Sequence, residues 1–144
     1  MIVYASHNSG KTTFCKDHPE WIDGDQILFD FLGSAFGVKI IDDDTKGRQI
    51  IDLFILDRKK AEIVYTGYMN WLKENKYHKN ILLGTRRFMW LADIIIFKRD
   101  NDSDIYQKEL ISALKWHLEC NYIEKDEYIN EKMLKYEKNS NTIH

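Results

Sequence analysis

One proline, two cysteines and no apolar run of membrane length already exclude several kinds of protein. Cys15 and Cys120 are too few for a disulfide framework and are not spaced as zinc ligands, so both read as reduced packing residues. The longest apolar stretches, such as Leu91 to Phe97, are broken by Asp93 and fall far short of the roughly 20 residues that span a bilayer. No membrane partner is expected. Met1-Ile2-Val3-Tyr4 enters a strand-like run without a basic region and long apolar stretch before it, which argues against a secretory signal and for a cytoplasmic location. Charge of one sign is lacking too: 21 basic and 23 acidic residues leave a formal net charge of −2. The whole-molecule field therefore offers no general attraction to nucleic acid or anionic lipid, although a local basic patch stays compatible with it.

What is present suits one folded domain. Hydrophobic residues make up 44% and charged residues 31% of the 144, outside the composition of disordered chains. No internal repeat, linker or low-complexity segment divides the chain, so residues 1–138 are expected to form one domain and 139–144 a frayed tail.

Short apolar runs at 2–5, 21–23, 81–84 and 94–97 read as strands, and the last two have the character of strands covered on both faces. Between them lie helical spacings. One begins at Gly10 and must end at His18-Pro19; another, capped by Asp25, carries Ile27, Leu28, Phe31 and Leu32 as far as Gly33 and Gly37. From Gly47 to Asn75 apolar positions recur at three- and four-residue steps, as in one long helix or a broken one weakest at Gly67. A short helical link runs through Phe88, Met89 and Leu91, and two further helices are expected over 105–122 and 126–138. Strands alternating with helices imply a parallel sheet with helices on both faces, a three-layer α/β fold.

Ala5-Ser6-His7-Asn8-Ser9-Gly10-Lys11-Thr12 follows the Walker A spacing, with Ala in place of the first glycine. It follows an expected strand and opens an expected helix, so successive backbone N–H groups and a helix N-terminus converge on one anion. In that setting residues Ser6 to Thr13 hold the phosphates of ATP or GTP. Gly10 lets the backbone approach, Lys11 sets a point charge between the β- and γ-phosphates, and Thr12 offers its hydroxyl to Mg²⁺.

Ile22-Asp23-Gly24-Asp25 puts two carboxylates at the carboxyl end of the second strand, the edge of a parallel sheet where ligands collect. A carboxylate there can take a proton from a hydroxyl or orient hydrated Mg²⁺. Joined to the Walker A loop, this element resembles the small P-loop kinases, including adenylylsulfate kinases, the kinase half of polynucleotide kinase and nucleoside monophosphate kinases. The resemblance extends from Met1 to about Asp30. A looser likeness covers 80–87, where Gly84-Thr85-Arg86-Arg87 is similar to the third strand and substrate-contacting arginine of nucleotide kinases.

The resemblance implies a P-loop fold and ATP-dependent transfer of a phosphoryl group to a nucleotide, a nucleic-acid end or a modified base. It implies that Asp23 or Asp25 faces the acceptor, with Asp23 nearer the phosphates and the metal, and that Arg86 or Arg87 contacts a phosphate. Two departures stand out: no lid with repeated arginines follows the fourth strand, leaving Arg99 as a minimal nucleotide contact, and no Walker B acid ends 81–83. The second departure argues against a motor ATPase. The competing expectation is an ATPase, GTPase or nucleotide-binding regulatory module without an acceptor; the guanine-reading Asn-Lys-x-Asp motif only begins, at Asn75-Lys76. Asp42-Asp43-Asp44 reads as a solvated loop, and Trp71, Trp90 and Trp116 read as core rather than base-stacking residues.

Overall fold

The computed structural model describes residues 1–6, 10–100, 102–116, 118–124, 129, 132 and 133. Four apolar residues with no solvent exposure to speak of make β1 (Ile2–Ala5), the middle strand of a five-stranded sheet. The others are β2 (Trp21–Asp23), β3 (Asn80–Leu83), β4 (Ile94–Lys98) and β5 (Cys120–Ile123). Their order is β2-β3-β1-β4-β5, and every pairing is parallel. Val3 lies opposite both Leu82 and Ile94, which sets the register of the central three strands.

The two-residue period of the strands divides the core. Ile2, Tyr4, Ile81, Leu83, Ile95 and Phe97 face one layer of helices: α2 (Gly24–Phe36), α4 (Arg58–Asn75) and α5 (Asp104–Lys115). Val3, Ala5, Leu82 and Ile96 face the other, where they meet Phe14 of α1 (Lys11–Asp17) together with Ile129 and Met133. The sheet is therefore apolar on both faces, as parallel sheets require. No helix among the described residues is long and apolar enough to cross a membrane.

Three expectations need correction. The segment 47–75 breaks at Asp57, giving α3 (Lys46–Leu56) and α4, while Gly67 lies unbroken inside α4. Asp57 accepts a 3.0 Å hydrogen bond from Lys60 N and caps α4, so a capping carboxylate outweighs the weaker helix propensity of a glycine. Second, α5 stops at Lys115, and Cys120-Asn121-Tyr122-Ile123 forms the edge strand β5 against β4. Its mixed side chains carry no strand signature; pairing with a buried neighbour makes it one. Third, Trp116 is not core: it is 49% exposed, while Trp71 and Trp90 are half-buried. The helix expected over 126–138 and the tail fall mostly outside the described residues.

Candidate active site at the carboxyl edge of the sheet

Chain direction places the site. From β1 the chain leaves toward β2 on one side, and from β4 it leaves toward β5 on the other, so the connections diverge between these neighbouring strands. That divergence opens a crevice beyond the carboxyl ends of the strands, where ligands of open α/β sheets bind. A cleft of about 680 Å³ lies there, lined by Thr12 of α1, Ile105 of α5, and Asp42, Asp43, Asp44, Lys46 and Gly47 from the connection into α3.

Gly10 adopts φ 94° and ψ 21°, a left-handed conformation that side chains resist, directly before the right-handed turn of α1. Such an alternation curves backbone N–H groups into an anion-binding concavity. Among the described residues α1 has no side-chain cap, and its first turn holds no acidic residue. Lys11 folds back across the loop, donating to the Ser6 carbonyl at 3.4 Å. Thr12 and Thr13 follow it, both exposed. His7, Asn8 and Ser9 lie outside the described residues.

Ser6 itself has a structural duty. It is buried; its amide donates to Ile96 O at 3.0 Å and its Oγ accepts from Lys98 N at 2.6 Å, tying the start of the loop to β4. Its side chain is thus committed to the sheet, and its carbonyl is what meets Lys11.

Asp23 and Asp25 divide their work differently from the sequence-based expectation. Asp23 is the residue that caps α2, accepting from Asp25 N at 3.1 Å and Gln26 N at 3.3 Å through one oxygen, Oδ1. Asp25 instead reaches across to the end of β3, where its Oδ1 accepts from Gly84 N at 2.9 Å and from Thr85 Oγ1 at 3.0 Å. The Asp23 carboxyl is raised above the usual carboxylate range, first by burial and then by the charge of Asp25, with Lys11 acting in the opposite sense.

Gly84 is the contact point of these groups. A β-carbon there would lie 2.5 Å from Asp25 Oδ2 and 2.6 Å from Lys11 Nζ, so a side chain at this position would displace the ends of both. The sequence singled out Arg86 and Arg87 just beyond it, and missed Gly84 because close approach leaves no local signature. The cleft residues Gly47 and Ile105 were missed for a similar reason: they come from elements distant in the chain.

Burial behind the site also settles the thiol. Cys15 is pushed up to about 12, mainly by desolvation and then by Asp23 and Asp25, which keeps it protonated and unreactive.

The arginines part company. Arg87 is bound to α4, pairing with Glu62 at 2.6 Å and stacking on the Tyr65 ring at 4.8 Å. Arg86 is exposed, and among the described residues no hydrogen bond or ion pair engages it; its charge is felt at Tyr4, as is that of Asp25. Arg99 lies apart on the β5 side, paired with Glu124 at 3.4 Å and set over the Tyr122 ring. Lys11, Asp23, Asp25, Gly84 and Arg86 therefore share the carboxyl edge over β1, β2 and β3.

Among the described residues no three His, Cys, Asp or Glu side chains gather as a metal-binding group. A divalent ion brought in by a nucleotide needs fewer protein ligands, since phosphates and water supply the rest. The Thr12 hydroxyl and the Asp23 oxygen not used in capping fit that role. No protein-family model, no curated protein and no solved structure matches this chain.

Proposed function

We propose that this protein is a P-loop phosphotransferase that moves a phosphoryl group from ATP to a hydroxyl or phosphate of a nucleotide, nucleic-acid end or modified base. The observation that carries this reading is the position of Lys11: it opens α1 after a left-handed Gly10, bends back to the Ser6 carbonyl, and lies beside Gly84, as does the Asp25 carboxylate. A cation at that point, beside uncapped helix N–H groups, is suited to a polyphosphate.

Bound Mg-ATP supplies the transferable group and much of its charge neutralisation. The protein's residues do the remainder. Gly10, Lys11, Thr12 and Thr13 hold the phosphates by backbone N–H groups, and Lys11 adds its ammonium. Thr12 would hold the metal through its hydroxyl, leaving the Asp23 oxygen not used in capping to the acceptor. Arg86, exposed at the same edge, binds an acceptor or transferring phosphate. Asp23, whose carboxyl favours the protonated form more than an exposed aspartate does, is the better base for an acceptor proton. Asp25 positions Gly84 and Thr85.

One observation favours a nucleotide-binding module without an acceptor: Asp25, half of the carboxylate pair, is already engaged with β3. The deciding experiment incubates the protein with γ-labelled ATP, Mg²⁺ and a panel of nucleosides, nucleotides and oligonucleotides, and compares Lys11→Ala. Label transferred to one acceptor, and lost in Lys11→Ala, supports the phosphotransferase. Label released only as inorganic phosphate moves the module reading ahead, and equal ATP affinity of parent and Lys11→Ala in calorimetry defeats both.

A further inference from the structure

The opposite edge of the sheet, where the strands begin, carries a different chemistry. There α4 ends before β3, the turn 86–91 ends before β4, and α5 ends before β5. These three ends bring together Lys73, Trp90, Trp116 and Lys115 in an unbroken row. The Lys73 ammonium lies 5.3 Å from the centre of the Trp90 ring, Trp90 and Trp116 are 6.1 Å apart and tilted by 35°, and Lys115 lies 5.5 Å from the centre of Trp116. A third pair adjoins on the same edge: Lys76 is 5.7 Å from the Tyr77 ring, and Tyr77 is 80% exposed.

A half-exposed tryptophan at a helix end is an unusual use of so large an apolar surface. Core packing does not need Trp116 there. Aromatic rings with ammonium groups beside them match a chain that alternates flat bases with phosphates, and this combination binds single strands without regard to sequence. Beside these rings stand Lys73, Lys76, Lys79 and Lys115 with Glu74, Asp93 and Glu119; Asp93 is paired with Lys76 at 3.3 Å, which leaves Lys73 and Lys115 beside the tryptophans. The run 73–80 contains no aliphatic side chain, whereas Ile111 and Leu114 of α5 are exposed near Trp116, so lipid vesicles enter the test.

We infer that this edge is a stacking surface for single-stranded nucleic acid, with Trp116 as its exposed platform and Lys73 and Lys115 as phosphate contacts. It is independent of the phosphoryl-transfer reading. Strands of four or five residues, at about 3.3 Å each, separate it from Lys11 and Gly84 by roughly 15 Å.

The test is fluorescence anisotropy of a short fluorescein-labelled oligothymidylate with the full chain, at a series of salt concentrations. The parent binds, and its affinity falls as salt rises, with a slope that becomes shallower in Lys73→Ala and Lys115→Ala. Trp116→Ala weakens binding roughly 5- to 100-fold, the range of one base–aromatic stack, and Trp116→Phe recovers part of the loss. Circular dichroism confirms that each variant is folded, which the exposure of Trp116 favours. Lys11→Ala binds the strand like the parent. The inference is overturned by absence of binding at low salt, by equal affinity of Trp116→Ala, or by equal affinity for a duplex of the same length. Loss of binding in Lys11→Ala, which would put the strand at the opposite edge, overturns it too, as does binding to anionic phosphatidylserine vesicles without binding to the oligonucleotide.

Discussion

Asp25 accepts a 2.9 Å hydrogen bond from the Gly84 amide, so a carboxylate in the first turn of α2 holds the end of β3. The same oxygen takes the Thr85 hydroxyl at 3.0 Å, and the end of Lys11 also lies beside Gly84. Two helices and a strand thus meet at one backbone position. The site is a junction before it is a catalyst, and its parts can be tested separately.

Gly84→Ala should cost binding more than stability. The added methyl meets the ends of the Asp25 and Lys11 side chains, which can swing aside, so the loss of stability should be small, under about 1 kcal/mol. Because relief requires Lys11 or Asp25 to move, nucleotide affinity should fall further than stability predicts. Urea unfolding and calorimetric titration with ATP, run on the same preparation, separate the two losses.

Asp23→Asn and Asp25→Asn should differ in kind. Asparagine caps helices about as well as aspartate, so Asp23→Asn keeps α2 intact. The native Asp23 carboxyl is raised above its unfolded value of 3.8, so the folded state holds its proton longer and stability from this group falls as pH rises through that window. Asp23→Asn should flatten that decline and leave neutral-pH stability unchanged or higher, while cutting transfer by roughly 10²–10⁴ if Asp23 is the base. Asp25→Asn should instead lower stability across the pH range. Urea midpoints from pH 3 to 7, with transfer rates, decide it; a Asp23→Asn variant of parental rate removes Asp23 from the chemistry.

The neighbouring arginines should give opposite results. Arg87→Lys loses the fork to Glu62 and the stacking on Tyr65, a small stability change as for exposed ion pairs, with little effect on nucleotide chemistry. Arg86→Lys should leave the melting temperature alone and weaken binding or transfer. Thermal unfolding beside steady-state kinetics checks both, and the reverse pattern would exchange their roles.

Tyr4→Phe probes the floor of the site. Tyr4 donates its hydroxyl to Glu109, and both side chains are buried between β1 and α5. Burial, followed by the Glu109 charge, drives the phenol far above its ordinary range, so it stays a donor at every working pH. Removing that donor from a buried carboxylate should cost roughly 1.5–3 kcal/mol, read as a shift of the urea midpoint.

Local pattern was enough for β1, β3 and β4, because residues buried on both faces of a sheet must be apolar whatever they pair with. It was enough, too, for the glycine turn before α1, but it gave the cap of α2 to Asp25, whereas Asp23 holds it. Everything that depended on a distant partner was decided by the tertiary structure. Cys120–Ile123 became a strand because β4 offered it an open edge, and Asp25 became an anchor because β3 passed within its reach. Glu62 and Tyr65 claimed Arg87 and left Arg86 exposed, a choice between adjacent identical residues that no local rule makes. Trp116 reads by its spacing as core, and it is half exposed only because α5 ends beneath it and brings it against Trp90. The physical reason is common to all four: a side chain's neighbours in space are set by packing of whole elements, and sequence spacing reports only those within a turn or two.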